Sequence, residues 1–159
     1  MRLGLLCVGR LKAGPERELY ARYADRIAAL RNLGLDGLDL KEIDESKARS
    51  DPERKAQEGA GLLRALPQGA GLAVFDERGV AATSRDFAAF IGAERDRGAS
   101  ALWFAIGGAE GLHESLRAEA RKIYSFGAMT LPHQLVRVMA AEQIYRALTI
   151  LSGHPYHRG

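Results

Sequence analysis

A chain of 159 residues, 47% hydrophobic and 27% charged, suits a single domain spanning residues 1–159 with room for a real core. Its 23 basic and 20 acidic residues are interspersed, so a net charge of +3 predicts a local basic patch and excludes general affinity for polyanions. A single cysteine, Cys7, excludes an intrachain disulfide; no apolar run approaches a membrane span, the N-terminal apolar stretch is too short for an export signal, and a cytoplasmic protein is expected.

Residues 3–9 form an apolar run ending in Gly9 and read as a buried strand. Pro15 opens a helical stretch to about Leu30, with Leu19, Tyr23, Ile27 and Leu30 at helical spacing. Leu35 to Ile43 reads as a second strand interrupted by Gly34, Gly37 and Asp39. Asp51-Pro52-Glu53 then starts a helix that runs to about Leu66, where Pro67 and Gly69 stop it. Gly59 and Gly61 weaken this helix and mark close packing. Gly71 to Phe75 is a buried strand, Asp76-Glu-Arg-Gly79 a turn, and Thr83 or Ser84 the cap of a helix to about Arg97. Ala101 to Ile106 is another buried strand, followed by Gly107-Gly108 and a helix from about Leu112 to Arg121. A short strand at 123–126 leads to Pro132 and a long last helix that ends at Gly153. Apolar, non-alternating strands that alternate with helices predict an α/β fold, a parallel sheet covered on both faces.

Three segments carry chemistry. Ile106-Gly-Gly-Ala-Glu-Gly111 follows a buried strand, where open sheets form ligand crevices, and its spacing is not that of a dinucleotide fingerprint. Gly9 and Gly14 have a phosphate-loop spacing, but Pro15-Glu16 stand where that loop needs Lys and Ser or Thr. Phe126 to Pro132 exposes backbone at Gly127, Ala128 and Met129. With Pro132 at the first helical position, Leu131 is a poor cap, so the first-turn N–H groups fall to the Thr130 hydroxyl, to water or to a ligand. The last helix is apolar almost all round, which demands more than one covering surface, and a subunit interface is a natural second one. Arg137 sits in its apolar face one turn after His133 and needs a charged partner; a structural ion pair is favoured over substrate contact. Glu142 and Arg146, spaced i, i+4, read as a helix-face pair. The closing His154-Pro-Tyr-His-Arg158 is dense in groups that stack on bases or pair with phosphate. Tyr156 argues against a free tail. No carboxylate or cysteine cluster joins His154 and His157, so no metal is expected.

Leu5-Leu-Cys-Val-Gly-Arg-Leu-Lys12, Phe75 to Gly79, Phe104 to Leu112, Leu131-Pro-His-Gln-Leu-Val-Arg-Val138, Glu142 to Arg146 and His154 to Arg158 together resemble the small ribosomal-RNA methyltransferases of the SPOUT class. These enzymes modify N3 of a pseudouridine in 23S RNA. The resemblance runs from end to end and is specific in its last four pieces combined. It implies a C-terminal trefoil knot, a homodimer, and S-adenosylmethionine as methyl donor. It also implies action on the helix 69 region of assembled ribosomes. The all-round apolar last helix, leading directly into the His-Tyr-His-Arg tail, further predicts a pocket near the subunit boundary that one chain's tail completes.

Carried over by position, Phe75, Gly107 and the stretch Phe126, Gly127, Ala128, Met129, Thr130 and Leu131 are expected to hold the donor. Ala109 stands where the family usually has proline, and Phe126-Gly127 where Leu-Ser is common. His133 is the candidate base for the imide proton, Arg137 a candidate stabiliser of negative charge, and His154, Tyr156, His157 and Arg158 the candidate RNA contacts. Two rival readings stay open: a SPOUT enzyme for another RNA nucleotide, for example in tRNA, and a non-catalytic ribosome-associated nucleotide-binding module.

Overall fold

Ten elements alternate along the chain of this computed structural model, which describes residues 1–30 and 33–158; Arg31, Asn32 and Gly159 lie outside the described residues. They are β1 (Arg2–Val8), α1 (Pro15–Ala29), β2 (Asp36–Ile43), α2 (Asp51–Ala65), β3 (Gly71–Val80), α3 (Ser84–Asp96), β4 (Ala101–Ile106), α4 (Glu114–Glu119), β5 (Lys122–Tyr124) and α5 (His133–Ser152). The five strands form one sheet in the order β2-β1-β4-β3-β5, every pairing parallel. The α/β expectation therefore holds, with helices on both faces.

Buried strands explain the apolar runs. Leu5, Cys7, Phe104 and Phe75 face a layer built by α1, α3 and α5, while Leu6, Val8, Val74 and Trp103 face Leu62 of α2 and Leu116 of α4. Cys7 is fully buried, and burial pushes its thiol up to about 12, which leaves it unreactive. β2 lies at the sheet edge, half-exposed, so its interrupting Gly37 and Asp39 are tolerated there. Gly59 and Gly61 do mark close packing: a Cβ at either would fall under 3 Å from His113 or Ile43.

Three readings need correction. The predicted turn at 76–79 belongs to β3, because both Phe75 and Val80 pair with Tyr124 and the residues between them arch out. Gly79 makes the return possible, since a Cβ there would meet the Tyr124 backbone at 2.6 Å. The helix expected over 112–121 spans only Glu114–Glu119, capped by the His113 side chain rather than by the chain before it. Finally, α5 finds its covering surfaces within the same chain. It lies against the sheet between α1 and α3, and Leu135 is its exposed large apolar residue. Its apolar periphery thus demands no second subunit.

Candidate active site

The carboxyl ends of β3 and β4, together with the segment entering α5, enclose a cavity of about 310 Å³, a size that suits a small organic ligand. Ile106 to Leu112 form one wall, Phe75 to Arg78 a second, and Phe126, Gly127, Met129, Thr130 and Leu131 a third. His133 and Val136, one turn into α5, close the floor. Of the residues expected to hold a donor, Phe75, Gly107, Phe126, Gly127, Met129, Thr130 and Leu131 are brought together here; Ala128 is exposed beside them and outside the lining.

The glycine turn is shaped by the chain's own needs. Gly108 and Gly111 form an isolated bridge, and the Gly111 N–H donates to the Gly108 carbonyl at 3.0 Å. A Cβ on Gly107 would meet the Gly111 carbonyl carbon and oxygen at 2.6 Å, so the missing side chain at this position serves the tight turn itself. What remains for a ligand is backbone surface along its outer edge. Arg54 braces the turn through an ion pair to Glu110 at 3.1 Å. Behind it Glu58 is buried, with one carboxylate oxygen lacking a partner. A Cβ on Gly108 would lie 3.0 Å from that oxygen. Desolvation first, then the charges of Glu110 and Glu45, raise the Glu58 carboxyl above the ordinary range.

On the opposite wall, Phe75 and Phe126 stack face to face, centroids 4.7 Å apart and planes 11° apart. The ring pair separates the main cavity from a neighbouring one of similar size lined by Phe87, Tyr124 and Gln143. Asp76 is held in the arch by Arg117 at 2.6 Å, with both side chains nearly buried. At the floor, the cap of α5 is Pro132 and not Leu131, and no side chain caps the helix. The Thr130 hydroxyl therefore leaves the first-turn N–H groups open, beside His133 and next to the cavity.

Arg137 is placed elsewhere. It is 1% exposed, donates to Glu42 at 2.6 Å and to the carbonyls of Val8 and Gly9, and does not line the cavity. Glu42 also accepts from the Leu11 N–H at 2.6 Å, so this pair ties the end of β1 to β2 and α5 within one chain. The tail is ordered but distant. Tyr156 folds back on α5, its ring edge-on to Tyr145 with centroids 4.7 Å apart and its hydroxyl donating to Glu142 at 3.0 Å. His154 accepts from the Tyr156 N–H, His157 lies 3.4 Å from Arg146, and Arg158 is exposed. The tail thus folds back along α5 as far as Glu142, and none of residues 154–158 lines the cavity of its own chain. Among the described residues no cluster of His, Cys, Asp or Glu is set to hold a metal.

Residues 1–157 match the family model described as "Predicted SPOUT methyltransferase". The chain belongs to this family. SPOUT methyltransferases use S-adenosylmethionine. The chain is 59% identical over 159 residues to the "Ribosomal RNA large subunit methyltransferase H" of Xanthobacter autotrophicus and 58% identical to the protein so named in Methylocella silvestris, with 99% of each chain covered in both cases. The fold is also similar to that of a probable methyltransferase from Bordetella pertussis Tohama I, at a TM-score of 0.55 and 15% identity, covering 92% of this chain and 95% of that one.

Sequence reasoning missed the bracing groups of this SPOUT cavity. Arg54 with Glu110 and Arg117 with Asp76 join residues 56 and 41 positions apart, and no local spacing signals such pairs. Lys55, which lines the cavity one position after Arg54, carries no local signal either. Glu58 had one: a glutamate on the side of α2 that carries Gly59 and Leu62, where burial was already predictable.

Proposed function

We propose that this chain transfers a methyl group from S-adenosylmethionine to N3 of a pseudouridine in the helix 69 region of 23S RNA, acting as a homodimer on the assembled ribosome. The observation that carries the reading is the coincidence of one cavity with the seven donor-site positions, in a chain matched end to end by proteins named for large-subunit ribosomal RNA. The residues fit the donor: an aromatic wall at Phe75, glycine backbone at 107, 108 and 111 and apolar Leu131 suit an adenosine and a thioether chain, and the volume is sufficient.

When bound, the donor supplies an activated methyl group, so neither a metal nor a covalent enzyme intermediate is required. The chain's own work is alignment. His133, at the cavity floor, accepts the N3 proton of the imide as methylation proceeds. Arg137 acts at one remove as a positioning residue. Its pair with Glu42 fixes the first turns of α5 and hence where the His133 ring stands. His154, Tyr156, His157 and Arg158 receive the RNA, and Arg158 or His157 offsets charge on the pyrimidine oxygens. Because none of the tail residues lines the cavity of its own chain, those groups come from the second subunit, and the exposed Met129 of the cavity wall and Leu135 in the first turn of α5 suit that contact. We further infer a trefoil knot. The chain leaves β5 at the sheet edge and must pass the 76–83 arch to lay α5 between α1 and α3. A cytoplasmic single-domain enzyme of residues 1–159 is consistent with this assignment, and no helix of the described residues is long and apolar enough to cross a membrane.

Labelled methyl transfer to assembled ribosomes, separated subunits and naked RNA tests the reading, with calorimetry of the donor alongside. Incorporation into 23S RNA at pseudouridine N3, strongest with ribosomes, is expected. Label confined to another RNA would overturn the substrate, and absence of donor binding would overturn the enzyme.

A further inference from the structure

Glu142, on α5, gathers an unusual number of donors for a side chain of no assigned role. It accepts from Arg146 Nε at 3.0 Å and Nη2 at 2.5 Å, from the Tyr156 hydroxyl at 3.0 Å, and from Gln143 at 2.7 Å. Its side chain is 17% exposed and that of Arg146 25%, so the pair is partly sheltered from water. Arg146 in turn lies over the Tyr156 ring, 4.8 Å from its centroid, and reaches His157 Nδ1 at 3.4 Å. This carboxylate therefore holds both the aromatic anchor of the tail, whose hydroxyl also meets Tyr23 of α1, and the cation against which His157 rests.

A helix-face ion pair alone would need no tyrosine hydroxyl, no stacked ring and no histidine. The geometry points to Glu142 and Arg146 as positioning residues for RNA methylation, a latch that holds Tyr156 on α5 so that His157 and Arg158 are presented in a fixed direction. This inference rests on the tail's part in the proposed function. Tyr145 completes the latch from the helix side, its ring in an edge-type contact with that of Tyr156. Ordering the tail before RNA arrives removes an entropic cost from binding, so the latch acts on KM for RNA more than on turnover.

The test uses the full-length protein and compares Glu142→Ala, Glu142→Gln, deletion of residues 154–159, and Glu142→Ala in the deleted chain. Amide hydrogen exchange of residues 154–158 reads the latch directly, and ribosome methylation and donor calorimetry read its consequence. Glu142→Ala should expose the tail to exchange and raise the KM for RNA about tenfold or more, as expected for losing a cluster of charge-assisted hydrogen bonds. Donor affinity should not change, and Glu142→Gln, which still accepts from Tyr156, should recover part of the loss. In the deleted chain Glu142→Ala should add nothing, because both changes remove the same interaction. A tail that stays protected in Glu142→Ala would overturn the latch itself. A released tail with unchanged KM would overturn the positioning role and the tail's part in the proposed function, while donor binding, measured separately, would leave the cavity assignment standing. Equal loss of donor affinity would overturn the division between the two ends.

Discussion

The two ends of α5 are opposites. Its N-terminal end begins after Pro132 with no side chain to satisfy the first turn, beside an open cavity and an imidazole. Its C-terminal end is closed completely: Gly153 takes the left-handed conformation at φ 70, the His154 N–H returns to the Thr149 carbonyl at 2.9 Å, and the tail is pinned to Glu142. One end leaves hydrogen-bonding capacity for something absent from the chain. The other spends its capacity on holding the last residues of the chain against the helix. None of residues 154–158 lines the cavity of its own chain, so it is the homodimer proposed above that would bring the two ends together. Removing residues 154–159 is the strongest way to break this comparison. Ribosome methylation should fall at least about a thousandfold, the scale on which lost positioning acts, while calorimetric donor affinity stays within about twofold, as expected for a distant independent site.

Two arginines on this helix sharpen the contrast energetically. Arg137 is 1% exposed against a Glu42 that is 20% exposed, whereas Arg146 and Glu142 both touch solvent. Replacing Arg137 with alanine strands a carboxylate among the ends of β1 and β2, and should cost about 3–5 kcal/mol of stability. Arg146→Ala should cost about 1 kcal/mol or less in the same chemical denaturation experiment. A similar loss for both would mean that the tail end contributes as much to the fold as the buried end.

Much of the architecture was legible because buried parallel strands announce themselves as unbroken apolar runs, as at 3–8 and 101–106. Arg137 was legible as an ion pair for the same reason, since an apolar helix face does not carry a lone charge. Its partner was not, because Glu42 lies 95 residues earlier on a strand whose own pattern is broken. The arch at 76–79 read as a turn because Asp, Glu, Arg and Gly are turn residues, and pairing of both Phe75 and Val80 with Tyr124 is a tertiary fact. The Phe75–Phe126 stack was hidden similarly: two aromatics far apart in sequence meet only because β3 and β5 are neighbours. The apolar girth of α5 suggested a second subunit, but α1 and α3 already cover it.

At the open end, His133 is the group whose loss should be felt in chemistry rather than in folding. It lines the cavity, is half-buried, and anchors no other side chain among the described residues. His133→Ala should lower kcat on ribosomes about a hundredfold, the usual worth of a general base, with the KM for donor and the melting temperature little changed. Full turnover at saturating substrate would remove the imidazole from the mechanism and leave the open helix end as a donor site only.

The smallest expected effect concerns the wall facing that helix end. Glu58 sits behind Gly108 with its carboxyl raised by desolvation. A raised carboxyl keeps its proton in the folded protein over a range where the unfolded chain has lost it. Between the ordinary and the raised value the folded state binds more protons, so this group's contribution to stability declines as pH rises through that window. Above the window the charge is buried without a partner for one oxygen. Glu58→Gln keeps the shape and removes the charge. It should raise the melting temperature by a few degrees at about pH 7 and by less at about pH 4, where the native carboxyl is already protonated. An equal rise at both pH values would trace the gain to packing against the glycine turn instead of to the stranded charge, and a fall at neutral pH would mean that the carboxylate is held by a group reaching it from the cavity side.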